Sequence, residues 1–385
     1  MTTKRTFEQI NKKIKDGKAV VVTAEEIIPI VQEKGIEKAA EEIDVVTTGT
    51  FGPMCSSSVI INLGHSDPPI RIQKAWLNDV EAYAGIAAVD IIMGATQPSE
   101  THGMFYGGAH VIEDLISKKR IKLKAISQGT DCYPRKEIET YINLESINQA
   151  ILFNPRNCYQ NYNVGVNTSN KKINTYMGIL LPKLGNASFS TSGQLSPLLN
   201  DPKFMTIGIG TRIFLGGAQG FIAWEGTQHS PEFISNEEGM QISKGGTLSV
   251  IGNLKEMSTD YIRAAVFKGY GTTLVVGIGI PIPILSSDIM KYVAVRNEEI
   301  YTQIIDYSVP HAQRPSLGWV NYKQLFSGEI SVQGKTIPTS PLSSYAKARE
   351  IAQKLKKEIV EGSFLLQKPI KKLPIKEKFK SLLEI

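Results

Sequence analysis

The spacing of hydrophobic and polar positions predicts alternating helices and strands from the first residues onward. Phe7 to Asp16 has helical spacing and stops at Gly17. Ala19 to Thr23 predicts a strand, and Thr23 can cap a helix whose early Glu25 and Glu26 suit its positive end. Glu37 to Glu42 continues as helix into a β-branched, apolar run, Ile43 to Thr48. That run breaks on Gly49, Gly52 and Pro53, and Cys55 follows with Ser56, Ser57 and Ser58 behind it. Ser58 to Leu63 predicts another strand, leading to His65-Ser66-Asp67-Pro68-Pro69, where tandem prolines hold the segment extended. Asp90 to Met93 is a short strand, and the loop to Gly108 carries Glu100, His102 and Tyr106. Gly107 and Gly108 precede an amphipathic helix, Ala109 to Lys119, and leave room for an anion at its N-terminus beside His110.

Ile121 to Ser127 alternates as a strand and ends in the loop Gly129-Thr130-Asp131-Cys132-Tyr133-Pro134-Arg135. Ala150 to Phe153 is a short apolar run before Asn154-Pro155-Arg156-Asn157-Cys158. Each cysteine therefore follows the downstream end of a predicted strand. Sites in open α/β sheets gather at the carboxyl ends of strands, so a shared parallel sheet would bring Cys55, Cys132 and Cys158 together. The second half is rich in glycine and β-branched residues. Strands are predicted there over 172–181, 204–214, 220–224, 247–254 and 274–280. Ser344 to Glu361 predicts a helix with Tyr345, Ala348, Ile351, Ala352, Leu355 and Ile359 on one face and Gly362 as its stop. The expected fold class is α/β, a mixed or parallel sheet with helices and a glycine-rich, β-rich second half. Residues 1–362 form the expected main unit, with a sub-domain break near 165–200, and 363–385 form a basic, solvated tail.

Charge and composition narrow the function classes. The net charge is +6, and residues 346–385 carry the whole excess, with eleven basic and five acidic residues. That distribution lacks the basic face and stacking aromatics of a nucleic-acid groove, so no nucleic-acid partner is expected. The longest apolar run, Thr273 to Leu285, is too short to span a membrane and holds two prolines. The first ten residues are polar and charged and read as no secretory signal, which makes the cytoplasm the expected location. The three cysteines form no CxxC pair, so neither a disulfide framework nor zinc or ferredoxin-type spacing is indicated. Gly208-Ile209-Gly210 lacks the third glycine of a dinucleotide fingerprint, since Ile213 holds that place, and no GKS or GKT phosphate loop is present. Cys55 is the leading chemical candidate, because a strand-end loop with free backbone N–H groups favours the reactive thiolate. The alternative is a small buried thiol in a tight turn.

The blocks TTGTFGPMCSSS (47–58), GHSDPPI (64–70) and KAWLNDV (74–80) resemble the homocysteine-biosynthesis family. So do GATQPSE (94–100), GGAH (107–110), TDCYP (130–134), NPRN (154–157) and PLSSY (341–345), so the resemblance covers nearly the whole chain. It implies L-aspartate-semialdehyde sulfurtransferase activity and gives weight to Cys55 and Cys132. Many family members continue into paired CBS domains, and this chain is expected to lack both those and a ferredoxin module. Replacing an aldehyde oxygen by sulfur takes hydrogen sulfide, two electrons and two protons, and yields a thiol and water. No resident cofactor is expected. The electrons are assigned to an external ferredoxin-like donor, and the sulfur to a sulfide or persulfide donor. In a persulfide route Cys55 carries the sulfur, His65 or His102 donates a proton, and Cys132 resolves the persulfide to a disulfide. Arg156 is the first choice for the substrate carboxylate, with Asn157, Asp67 and Arg135 as further binding candidates and Arg212 in reserve. The competing chemistry is a [4Fe–4S] cluster held by Cys55, Cys132 and Cys158. A non-catalytic sulfur carrier is the third reading. A homo-oligomer is left open.

Overall fold

The structure is a computed structural model and describes residues 4–231, 245–375, 380 and 382. Its largest sheet has nine strands, all paired antiparallel. Along the sheet run Ile262–Phe267, Gly271–Gly279, Arg212–Leu215, Ala218–Glu225, Leu248–Asn253, Gln149–Asn157, Ser58–Asn62 and Asp90–Gly94. Thr50–Pro53 adds to Gly271–Gly279 beside this path. A six-stranded sheet of Glu137–Ile142, Ile121–Ile126, Lys74–Leu77, Val80–Ala82, Pro98–Ser99 and Gly103–Gly107 shares one apolar core with it. Helix Gly108–Ile116 fills that core with Ala109, Val111, Ile112 and Leu115.

A second six-stranded sheet has its own core around Phe189, Ile304 and Tyr322. Its strands come from 164–189 and from 301–341, so the chain leaves this layer and returns to it. A small sheet of Val21–Thr23, Val45–Thr47 and Pro281–Pro283 packs under helices Ile27–Lys34, Ile36–Glu42, Ser287–Val293 and Tyr345–Val360. The last helix buries Ala348, Ile351, Ala352, Leu355 and Ile359, the face that its spacing predicts. Thr23 and Glu26 exchange side-chain and backbone hydrogen bonds of 2.8 and 3.2 Å at the entry to the second helix, as the cap reading expects.

Helices and strands are both abundant, but the parallel sheet expected to unite the cysteines is absent among the described residues. Parallel pairing occurs there in three strand pairs only, none next to a cysteine. Thr50–Pro53 and Gln149–Asn157, which precede Cys55 and Cys158, lie in the antiparallel nine-stranded sheet; Ile121–Ile126, which precedes Cys132, lies in another sheet. The double glycine also has a packing role in place of an anion site. A Cβ on Gly108 would stand 1.8 Å from the Gly94 carbonyl, and the Gly108 and Ala109 N–H groups already donate to Gln97 and Ala95. The tail is less solvated than its charge predicts. Phe364, Leu366 and Leu373 are buried, and Lys371–Lys372 pairs with Gly208–Ile209. Residues 376–379, 381 and 383–385 of the tail lie outside the described residues. No helix among the described residues is long and apolar enough to cross a membrane.

Candidate active site

Cys55 sits in the turn between strands Thr50–Pro53 and Ser58–Asn62, and its neighbours hold that turn closely. Met54 N–H donates to Leu274 at 2.7 Å, which continues the strand register one residue past Pro53 opposite Val275. The same register places Cys55 opposite Thr273, whose hydroxyl donates to Cys55 Sγ at 3.2 Å. The serine run pins the other side of the turn. Ser56 Oγ donates to Asn154 Oδ1 and to the Arg156 carbonyl, each at 2.9 Å. Ser57 Oγ donates to the Met54 carbonyl at 2.8 Å and accepts from Asn154 Nδ2 at 2.9 Å. These bonds fix Cys55 beside the end of strand Gln149–Asn157 while leaving it half-buried.

That strand end delivers Arg156 and Tyr159 to the thiol. Burial pushes the Tyr159 phenol up, Arg156 draws it down, and the Cys55 sulfur pushes it up again. Tyr270, on the turn before strand Gly271–Gly279, is pushed up by burial and then by Cys55. Tyr162 and Tyr176 continue the aromatic wall, with edge-to-face centroid distances of 5.0 Å from Tyr159 to Tyr162 and 6.0 Å from Tyr176 to Tyr270. Tyr176 and Tyr307 share a hydroxyl hydrogen bond of 3.0 Å, and Arg314 stacks over Tyr307 at 4.6 Å. Arg156 bonds the Gln228 side chain, makes no ion pair among the described residues, and keeps a buried Nε without a partner. A cation without a carboxylate partner among the described residues is chemically suited to an anionic substrate.

The other predicted residues divide differently. Cys132 is exposed and contacts Thr130 at 3.6 Å; its loop docks on the 65–69 segment. His65 stacks on Tyr133 with a centroid distance of 6.1 Å. The Arg135 guanidinium is occupied by the backbone carbonyls of Asp67 and Pro68, at 2.6 and 3.0 Å, and Asp67 itself is exposed. All four residues lie beyond Asn62, whereas Cys55 precedes Ser58 at the opposite end of the same strand. At the usual rise per residue those strand ends stand about 13 Å apart. The structure thus separates Cys132, His65, Asp67 and Arg135 from Cys55.

His102 bonds Thr101 at 2.8 Å at the turn of a hairpin whose other end, Gly107, approaches Thr272. Asn157 is buried, with its Oδ1 accepting the Cys158 N–H at 2.6 Å and its Nδ2 without a partner among the described residues. Arg212 lies over the Phe221 ring.

Cys158 packs in the main core at 3% exposure, and burial pushes its thiol up to about 12. Among the described residues no group of three or more His, Cys, Asp or Glu is placed to hold a metal ion. A cluster ligated by Cys55, Cys132 and Cys158 therefore does not fit this arrangement. Thr273 and Tyr270 escape sequence reading because they reach Cys55 through long-range pairing. The aromatic density at Tyr159, Tyr162 and Tyr176 is the signal that could have marked the wall.

The profile of the family described as homocysteine biosynthesis enzyme, sulfur-incorporation, matches residues 19–366. The chain belongs to this family. It is 55% identical over 378 residues to the L-aspartate semialdehyde sulfurtransferase of Methanosarcina acetivorans, covering 98% of this chain and 74% of that protein. It is 52% identical over 377 residues to the protein of the same name from Methanocaldococcus jannaschii, covering 94% and 72%. An uncharacterized protein of Methanothermobacter thermautotrophicus is 27% identical over 337 residues, covering 85% of this chain and 73% of that one. No solved structure matches the chain.

Proposed function

We propose that this chain is an L-aspartate semialdehyde sulfurtransferase that forms homocysteine at Cys55. The observation that carries the reading is a half-buried thiol with a hydroxyl donor, Thr273, in a turn pinned to the Arg156 carbonyl, where Arg156 makes no ion pair among the described residues. Two relatives bearing that activity in their names share more than half of their aligned residues with this chain. The Cys55 thiolate attacks the outer sulfur of a persulfide or polysulfide donor, whose S–S bond breaks to release the donor's thiolate, and the terminal sulfur of the resulting Cys55 persulfide attacks the aldehyde carbon. Arg156 holds the substrate carboxylate.

The net change from sulfide consumes two electrons and two protons and releases water. Delivery of sulfur at the sulfane level consumes two further electrons and two further protons. A ferredoxin-like donor is the assigned source. Cys132 enters as a second thiol, on an exposed loop that docks on the segment beyond the far end of strand Ser58–Asn62. The test is an anaerobic assay with aspartate semialdehyde, a persulfide or polysulfide donor and a low-potential reductant, with sulfide alone as a parallel arm, read by mass detection of homocysteine and by an iron assay on the same sample. Homocysteine without stoichiometric iron supports the reading. No homocysteine under any sulfur or electron supply would leave the sulfur-carrier reading in its place.

A further inference from the structure

The balanced reaction draws its electrons from outside the chain, so the donor needs a landing surface within reach of Cys55. We infer that an acidic redox protein docks on the nine-stranded sheet around Phe221, Trp224 and Lys371, an interaction surface that rests on the sulfurtransferase reading. Tail strand Lys371–Lys372 pairs with Gly208–Ile209 beside this face, and the Ile370 N–H donates to the Ile209 carbonyl at 2.9 Å. The Lys371 ammonium lies over the Trp224 ring at 4.9 Å. Arg212, the register partner of Phe221, lies over the Phe221 ring at 5.9 Å. Phe221, Trp224 and Ile370 stay 41%, 52% and 81% exposed around these cations. Arg212, Lys371 and Lys372 make no ion pair among the described residues, and the Arg212 Nε is buried without a partner. Glu225, the carboxylate on the same strand as Phe221 and Trp224, pairs with none of them.

Strand register ties this surface to the Cys55 turn. Phe221 stands opposite Ile251, Ile251 opposite Phe153, and Phe153 opposite Ser58, which opens the strand after that turn. Cross-strand partners share a face, so the four side chains form one row, in which Ile251 and Phe153 are only half-buried. Three strand spacings put Ser58 about 14 Å from Phe221 along the sheet. An interface of about 800 Å² per partner is about 30 Å across, so one centred on Phe221 reaches Ser58. Its middle is apolar and aromatic, as interface cores are, and its margin carries unpaired cations that favour an acidic partner and speed its encounter. Nucleic acid fits less well, because the row turns apolar toward Cys55 and offers no continuing line of phosphate contacts. Docking adds no chemical step, since the donor supplies the electrons already counted in the overall reaction.

The test runs the full chain anaerobically with aspartate semialdehyde, a persulfide donor and either of two reductants. One is a reduced, acidic ferredoxin as the protein probe; the other is titanium(III) citrate, which needs no docking surface. Lys371→Glu combined with Lys372→Glu should raise the KM for the ferredoxin by about 10–100-fold and leave titanium-driven turnover within about twofold of wild type. Trp224→Ala should raise the same KM by about tenfold. Calorimetry with the oxidised ferredoxin reads the surface without turnover, and the double variant should weaken that Kd by the same factor as the KM. Unchanged ferredoxin KM and Kd in the double variant overturn the assignment, as does an equal loss with both reductants. So does a wild-type protein that uses titanium(III) citrate but neither binds nor uses the ferredoxin. Binding of a labelled single-stranded oligonucleotide, or a dimer in sedimentation, that the double variant abolishes would give the face to nucleic acid or to a second copy and overturn the acidic partner. Absence of homocysteine from wild type with titanium(III) citrate would sink the sulfurtransferase reading, while the calorimetry would still decide the docking surface.

Discussion

Thr273 and Cys55, 218 positions apart in the chain, are joined by a hydroxyl-to-sulfur hydrogen bond of 3.2 Å. The bond follows from strand register, since the pairing of Pro53 with Val275 and the Met54–Leu274 hydrogen bond bring the next residues opposite one another. Thr273 is fully buried, so its hydroxyl has little competition from water. That hydroxyl holds the sulfur in place against strand Gly271–Gly279.

Thr273→Val should therefore slow iodoacetamide alkylation of Cys55 at pH 7 by about tenfold, the order expected for losing a hydrogen bond to a charged group. Thr273→Ser should restore most of the rate. An unchanged rate in Thr273→Val would mean that the contact has no influence on the sulfur.

Arg156→Ala should raise KM for aspartate semialdehyde by about one to two orders of magnitude and change kcat less, as expected for loss of a charge-assisted carboxylate contact. The relevant features are its proximity to Tyr159 and its lack of a carboxylate partner among the described residues. A steady-state titration of substrate against a correctly folded variant measures this, and equal KM values would place the carboxylate elsewhere.

Cys158 behaves as core. Its raised folded value, about 12, exceeds the ordinary thiol value near 8.5 expected for the unfolded chain. The folded state holds the proton more tightly, so this contribution to stability is complete below about pH 8.5 and falls as pH rises toward 12. Denaturant midpoints at pH 8 and 10 should show a smaller alkaline loss in Cys158→Ala than in wild type. The same variant should keep homocysteine formation, whereas a three-cysteine cluster would lose both iron and activity.

Cys132 is exposed at the opposite end of strand Ser58–Asn62 from Cys55, beyond the about 7 Å Cα separation that a disulfide tolerates. Mild oxidation of folded protein should thus yield Cys55–Cys132 links between chains. Peptide mapping after mixing isotope-labelled and unlabelled chains distinguishes the cases. Exclusively intrachain links would show that the Cys132 loop travels to the cleft.

Much of the secondary structure was legible, and most of the pairing was not. The helix at Tyr345–Val360 could be read because one periodic face and Gly362 at φ +76° define it locally. The Lys74–Leu77 and Val80–Ala82 hairpin turns on Asn78 and Asp79, both at positive φ, but its strands are too short to announce themselves. Cys55 stood out by its place after a broken strand, and Arg156 by its place beside another cysteine. Cys132, His65 and Asp67 gather beyond the far end of strand Ser58–Asn62, a placement set by sheet order and loop docking. The tyrosine wall and Thr273 depend on sheet order, which no local pattern encodes.

Turnover by Cys55→Ser is the most direct measurement of the central claim that Cys55 is the sulfur-bearing nucleophile. The variant, checked for its fold by circular dichroism, is assayed anaerobically for homocysteine beside wild type and Cys158→Ala. The account predicts product from wild type and Cys158→Ala, none above background from Cys55→Ser, and a wild-type Cys55 peptide heavier by one sulfur atom before substrate is added. Substantial homocysteine from folded Cys55→Ser would contradict it.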